Sequence, residues 1–498
     1  MNKNNIVDII DVDQRHYKII KEIFAKFLPY KKVLAYGSRV KWNASETSDL
    51  DLAVFNATEK EIYAVKEAFD ESNIPFIIQI LNWETIPQDF KENIEKKYHI
   101  LQKEDDWGIF KLGDVGEIIT GKTPSKNNPE DWGDFIPFVT PTDYGNYQKI
   151  AYSSIRNLSQ EGYDKLIKKV LPKYSVMVTC IGSDMGKVAM NNLPVITNQQ
   201  INSIVSNDKA ESNFLYYKLV GLYDTLRSFG SDGTAVPILN KNDFSNIEIL
   251  LPPLLEQKAI AEILSSLDDK IDLLHRQNKT LENLAETLFR HYFIDNAKDD
   301  WDSEEMGKYV NVVDNRGKTP PNQKEITPYP VIEVNALGKG DRLVDYSLIR
   351  KYVDKNTFEN WFRAKPKKYD ILISTVGSIG EFSMFILEVG NIAQNVIALQ
   401  AKEISPFYLY QVLKYKHEEV MNLDIGGVQP SIKVPHLLSI IIPIPEIEIQ
   451  KEFDIQITEF VKKMETNYLQ IQTLEKLRDT LVPKLISGEI RVNYKENE

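Results

Sequence analysis

"LPPLLEQKAIAEILSSLDDKIDLLHRQ" (251–277) returns later in the chain as "IPIPEIEIQKEFDIQITEFVKKMETNY" (442–468). Each copy opens on a short apolar run with a proline at the same place, Pro252 and Pro445. Each then reads Gln-Lys, at Gln257-Lys258 and Gln450-Lys451, and continues in a long helical pattern. A strand, a stop and a helix are thus written twice, 193 residues apart.

The repetition extends outward from that stretch. "GEIITGKTP" (116–124) answers "VVDNRGKTP" (312–320), and "IPFVTPTD" (136–143) answers "YPVIEVNA" (329–336). "LPKYSVMVTCIGSDMGKVAM" (171–190) answers "KPKKYDILISTVGSIGEFSM" (365–384). "NQQINSI" (198–204) answers "AQNVIAL" (393–399), and "GTAVPIL" (233–239) answers "GGVQPSI" (426–432). The order is kept and the offset stays near-constant, which is the signature of an internal duplication. Each unit reads as a strand-rich part, with β-branched runs between Gly, Pro, Asn and Asp clusters, followed by a helix of about forty residues.

The helices alternate apolar positions by four and three. The first runs Ile260, Leu264, Leu267, Ile271, Leu274, Asn278, Leu281, Ala285, Leu288; the second runs Ile457, Phe460, Met464, Asn467, Ile471, Leu474, Leu481, with Arg478 interrupting. That is the spacing of a two-stranded coiled-coil seam, with Asn278 and Asn467 as polar positions able to fix register. The competing reading of each helix alone is packing on a globular core. Two matched seams in one chain are most simply paired with each other, so the expected fold is α+β. Two similar strand-rich heads would be separated by two long antiparallel helices, a pseudo-twofold dumbbell with a spacer that measures distance.

Composition bounds the rest. A chain of 498 residues exceeds one core, and about three domains is the prior. The 42% hydrophobic and 27% charged fractions are ordinary for globular protein. No apolar run reaches the ~18–20 residues that span a bilayer, and the start is too polar for a signal peptide. A single cysteine, Cys180, excludes a disulfide framework and a cysteine-based zinc cluster, and its apolar surroundings read as a buried, inert thiol. A cytoplasmic location and no membrane partner are expected. The net charge of −12 argues against nucleic acid unless local basic patches or partner subunits supply a positive field.

From Trp107 to about Val492 the chain resembles the specificity subunits of type I restriction–modification systems. The paired "GKTP", "IPFVTPTD", "GSDMGK…NQQI", "GTAVPIL" and the doubled Gln-Lys helices carry the resemblance. It implies target-recognition domains at 107–252 and 301–444, and conserved spacer helices at 253–295 and 445–487. It implies a subunit without catalytic residues of its own, serving phage defence by reading a bipartite double-stranded DNA site. The implied partners are two methyltransferase subunits, which carry S-adenosylmethionine, and a motor-nuclease restriction subunit. For DNA contact it points to Lys122, Thr123, Ser125, Lys126, Thr142, Asp143, Ser183, Lys187, Asn198, Gln199 and Gln200 in the first head. In the second it points to Lys318, Thr319, Asn335, Ser378, Gln394 and Asn395. Amides suit adenine, and lysine suits guanine or phosphate. The same residue types in Gly-rich turns also bond their own backbone.

Residues 1–102 pose a separate question. "YGSRVKWNASETSDLDLAVF" (36–55) places Asp49 and Asp51 two apart on a strand, so both project from one face. This resembles the minimal nucleotidyltransferase fold, a small α/β domain in which Gly37 and Ser38 would hold phosphate and Asp49 and Asp51 a Mg²⁺ ion. The resemblance is broken at Gln79, where active members carry a third carboxylate, and at Trp42, where a glycine is usual and a large ring would crowd the loop. A degenerate domain kept for binding or assembly is therefore expected. The alternative function is a Mg-dependent nucleotidyltransferase acting on protein or RNA, with the C-terminal region as targeting arm. An orphan DNA-binding scaffold is a third reading.

Overall fold

The computed structural model describes residues 9–104, 106–144, 149–151, 153–229, 238–298, 300–315, 317, 320–321, 325–338, 342–424, 426 and 429–492. The chain forms two compact units: one holds residues up to Lys270 together with those from Glu475 onward, the other Ile271–Leu474. Among the described residues no helix is long and apolar enough to cross a membrane.

The first unit begins with a four-stranded sheet of β1 (Val33–Tyr36), β2 (Leu50–Val54), β3 (Ile78–Asn82) and β4 (His99–Gln102), in the order β3-β2-β1-β4. Helices Gln14–Phe27 and Glu59–Asp70 cover one face around Ile20, Phe24, Val65 and Phe69. The second helix starts on a capping box, with Thr58 and Glu61 each satisfying the other's backbone N–H. This domain is fastened to the last strand of the first head: the Tyr30 hydroxyl donates to the carbonyls of Leu251 and Pro252 at 3.1 and 2.7 Å, and Lys26 pairs with Glu248 at 2.6 Å.

The first head runs β5 (Gly108–Lys111), β6 (Gly116–Thr120), β7 (Trp132–Val139), β8 (Ile150–Ala151), β9 (Arg156–Leu158), β10 (Val176–Thr179), β11 (Val188–Asn191), β12 (Ile196–Thr197), β13 (Ile201–Ser206) and β14 (Glu248–Leu251). Its sheets are β6-β13-β10-β11-β8, β12-β7-β9 and β14-β5. All four residues of β10 are buried, as its unbroken β-branched and apolar run requires of a central strand. Cys180, just after it, is buried, and burial pushes its thiol up to about 11.

The second unit repeats this plan. β15 (Asp302–Glu305), β16 (Val310–Asp314), β17 (Pro330–Ile332), β18 (Lys351–Tyr352), β19 (Ile371–Ser374), β20 (Phe382–Met384), β21 (Asn391–Ile392), β22 (Val396–Ala401) and β23 (Ile441–Ile444) form sheets β16-β22-β19-β20, β18-β17-β21 and β15-β23. The edge strand β8, parallel to β11, survives here as a single parallel bridge, Leu343 to Met384. Even the unusual backbone recurs. Tyr174 and Tyr369 both take positive φ, at 63° and 72°, and their N–H groups donate to the carbonyls of Asn191 and Phe385 at 2.9 and 2.8 Å. In both heads the first and last strands pair with each other, so each head closes on itself immediately before a long helix.

Those helices are Leu254–Arg290, succeeded by a π-helical turn, and Ile447–Ser487. The Gln-Lys motif has a common physical role. Gln257 is fully buried; its amide donates to Pro252 and Lys209 carbonyls at 3.0 and 2.9 Å, and its oxygen accepts from Glu211 N at 2.8 Å. Gln450 donates to Pro445 at 2.8 Å and accepts from Ser405 N at 2.9 Å. Each glutamine ties the stop, the helix start and the N-cap of a head helix together.

The heptad positions do two jobs. Ile271, Leu274 and Ile471, with Leu474, form a true seam between the helices. Ile260 and Leu264 instead enter the first head's core with Val482, Leu485 and Ile486. Ile457 and Met464, with Phe460 packed against them, enter the second's with Phe289 and Phe293. The coiled-coil reading and the globular-core reading are both right, at different points of the same helices. Pairing is antiparallel within each unit: Glu256 meets Arg491 and Asp268 meets Arg478 in the first, while Asn278 meets Asn467 and Tyr292 meets Gln456 in the second.

Two interactions give measurable consequences. The Asn467 amide donates to Asn278 Oδ1 at 2.9 Å with both residues buried. Asn278→Leu strips Asn467 of that partner and is expected to cost about 1–3 kcal/mol, whereas Asn278→Leu with Asn467→Ile recovers the loss, as read from urea unfolding of the four-member cycle. Glu282 is buried against Arg342 at 3.0 Å and Lys414 at 3.0 Å. Burial opposes its charge, but the two cations outweigh burial and hold its carboxyl below the ordinary 4.5. Its contribution is therefore complete above that pH and is lost as pH falls through the depressed value. Glu282→Gln should lower the urea midpoint at neutral pH and shrink its further fall below pH 4.5.

Candidate nucleic-acid interface

In the first head, the loops after β6, β7, β10 and β12 gather at one end of the sheets. Gly121 lets the "GKTP" loop lie against the turn after β12; a Cβ there would stand 2.2 Å from the Asn198 carbonyl oxygen. Lys122 N donates to the Thr197 carbonyl at 2.9 Å, and Thr123 Oγ1 donates to Gln199 Oε1 at 2.5 Å. Lys122, Ser125, Lys126, Thr142, Ser183, Lys187 and Gln199 are accessible or half-buried there, as are Thr123 and Gln200. Asn198 turns inward: it is 8% exposed, donates to Gln200 Oε1 at 2.8 Å and accepts from Gln200 N. Asp143 is likewise committed to its own turn, accepting from Thr140 N and Oγ1 and from Ile155 N at 2.7 Å each. These two shape loops rather than face outward. Lys187 pairs with Asp184 at 2.7 Å.

In the second head, Lys318 and Thr319 lie outside the described residues. Asn335, Ser378 and Asn395, which are far apart in sequence, line one cavity of about 400 Å³. Gln394 is exposed beside Asn395. Asn335 donates to the Leu348 carbonyl at 2.5 Å, and the Ser378 carbonyl accepts from Ser374 Oγ. Glu381 and Gln429 line the same cavity and were missed in the sequence. The signal for Glu381 was present, since the matched blocks 171–190 and 365–384 set Gly380-Glu381 opposite Gly186-Lys187.

At the amino terminus, Gly37 has φ 82° and sits under the Asp51 carboxylate; a Cβ would fall 2.1 Å from Asp51 Oδ2. Burial, then the neighbouring Asp49, raises the Asp51 carboxyl above its usual range. Gln79 lies beside Asp51 across the parallel pair β2·β3, and its amide donates to Asp49 Oδ2 at 2.6 Å. An N–H donor thus occupies a lone pair that a Mg²⁺ ion would need, where a third carboxylate would have been a ligand. No cluster of three metal-ligating side chains occurs among the described residues. The residues present do not fit a two-metal clamp. Trp42 does not crowd the loop as expected. It adopts φ 59°, a conformation glycine favours, and turns outward, 48% exposed.

The comparisons with known proteins divide the chain at the same place. Residues 18–106 match the polymerase beta nucleotidyltransferase model, and 99 residues are 37% identical to a probable protein adenylyltransferase of Haemophilus influenzae, covering 19% of this chain and 87% of that one. The MjaIX specificity subunit of Methanocaldococcus jannaschii is 29% identical over 437 residues, covering 82% of this chain and 98% of that one. The HindI specificity subunit of Haemophilus influenzae is 36% identical over 189 residues, covering 36% of this chain and 40% of its own length. The crystal structure of a type I restriction–modification S subunit from M. genitalium shares the fold at TM-score 0.52 and 17% identity, over 79% of this chain and 98% of that one. The model for the type I restriction modification DNA specificity domain matches twice, at 104–283 and 298–476, and the chain belongs to that family.

Proposed function

We infer that this chain is the DNA sequence-specificity subunit of a type I restriction–modification system, each head reading one half of a bipartite site. One observation carries the reading: two heads share sheet order, hydrogen-bond frame and even a positive-φ tyrosine, yet differ in the side chains their loops present. Half-sites of different sequence need that combination, because base edges are read by side-chain identity while the scaffold sets position. The chain acts with methyltransferase and restriction subunits. Two methyltransferase subunits, each with its S-adenosylmethionine, would bring the chemistry and a positive field, which offsets the net charge of −12. The spacer helices would set the gap between half-sites, and the complex would work in the cytoplasm. The exposed loop residues of both heads would meet DNA.

For the amino-terminal domain, Gln79 favours a role in binding or assembly over nucleotide transfer, and Mg²⁺ enters no step of it.

Two measurements test these statements. Replacing residues 107–252 with the corresponding head of a relative should change one half of the methylated motif, read by single-molecule methylome sequencing of a host carrying the neighbouring subunits. Changes in both halves would defeat the division of labour. Incubation with labelled nucleotide triphosphates and Mg²⁺ should give no transfer, and Asp49→Asn with Asp51→Asn should match wild type. Transfer abolished by that pair of changes would instead favour the enzyme.

A further inference from the structure

The loop after the central strand closes on the same hydrogen-bond frame in the two heads, although it is one residue shorter in the second. Thr179 N donates to the Lys187 carbonyl at 2.9 Å, and Ser374 N donates to the Glu381 carbonyl at 2.9 Å. Gly186 N returns to the Thr179 carbonyl at 2.8 Å, and Gly380 N to the Ser374 carbonyl at 3.1 Å. The glycines just before, Gly186 and Gly380, hold positive φ of 92° and 71°. Lys187 and Glu381 therefore occupy one structural position with opposite charge. Lys187 is exposed. Glu381 stands at the cavity with Asn335, Ser378, Asn395 and Gln429. Its carboxylate lies so close to Gly338 that a Cβ there would be 1.7 Å from Oε2.

A carboxylate on a DNA-facing loop is repelled by every phosphate, so its presence needs a compensating donor. Base edges supply one. In the major groove cytosine offers its N4 amino group with no adjacent acceptor, while adenine sets N7 beside its donor and guanine shows only acceptors. An ammonium has the opposite requirement and suits guanine O6 and N7. We propose that this position reads a base in both heads with inverted polarity: Glu381 selects cytosine in one half-site and Lys187 selects guanine in the other. The proposal rests on the specificity-subunit reading and adds the residues and the bases.

The test is methylome sequencing of a host expressing the full chain with its neighbouring methyltransferase and restriction subunits. Wild type should give a split motif with a fixed cytosine in one half and a fixed guanine in the other. Glu381→Gln, which keeps shape and removes charge, should raise methylation of sites with another base at that cytosine about tenfold and leave the other half unchanged. Lys187→Gln should do the same at the guanine only. A split motif that both variants leave unaltered overturns this proposal while the specificity reading stands. Uniform loss of methylation without relaxation at one base also counts against it. Absence of any split motif in wild type removes both.

Discussion

The architecture hangs on two buried glutamines. Gln257 and Gln450 each sit at the first turn of a long helix, where backbone groups lack intrahelical partners. Each amide holds the proline carbonyl that ends the preceding strand, and each oxygen receives the N–H of a head helix cap. Any apolar replacement would leave these backbone groups buried and unpaired, at about 1–3 kcal/mol per group. The glutamine thus fixes the angle at which a head joins its helix, and two identical joints make two equivalent heads.

Around those joints the units reach the same packing through different chemistry. In the second unit a buried Glu282 is met by Arg342 and by Lys414, and Arg342 lies over Tyr410 at 4.3 Å. In the first, Lys149 takes the place of Arg342 and donates to Ser265 at 2.8 Å, with its charge disfavoured by burial. Val220 stands where Lys414 does, and the cation comes from the helix instead, as Arg478 on Asp268 at 3.1 Å. The positive charge has moved from head to helix while the fold is retained. Such freedom in the supporting contacts is why the repeats share frame and topology but little composition.

Much of this was legible because duplication gives a sequence its own comparison. The Gln-Lys joints, the central strands "VMVT" and "ILIS" and the two seam asparagines all come from matched blocks and period. The seam itself is shorter than its pattern. Periodicity says which side of a helix is apolar, and is silent on whether another helix or a sheet covers it, so Ile260 and Ile457, seam positions by spacing, lie in head cores. The loops were least legible. Asn198 and Asp143 have the right chemistry for DNA, but short polar side chains in turns are often consumed by neighbouring backbone, and theirs are. Register placed Glu381 opposite Lys187, but its sign argued against it, because a surface proposed to meet phosphate is expected to carry donors. Trp42 in a glycine-like conformation shows the reverse error, since an outward ring needs no room inside the loop.

The asparagine pair also makes the chain able to tell itself from a copy. Shifting by the repeat length carries Asn278 to Ile471 and Asn467 to Leu274. Two first helices from separate molecules, meeting in the same antiparallel register, would therefore set Asn278 against Leu274; two second helices would set Asn467 against Ile471. Only the unlike combination sets one amide against the other, with Asn467 donating to Asn278, so the duplicated halves have diverged into lock and key, and self-mating of either half is penalised at its centre.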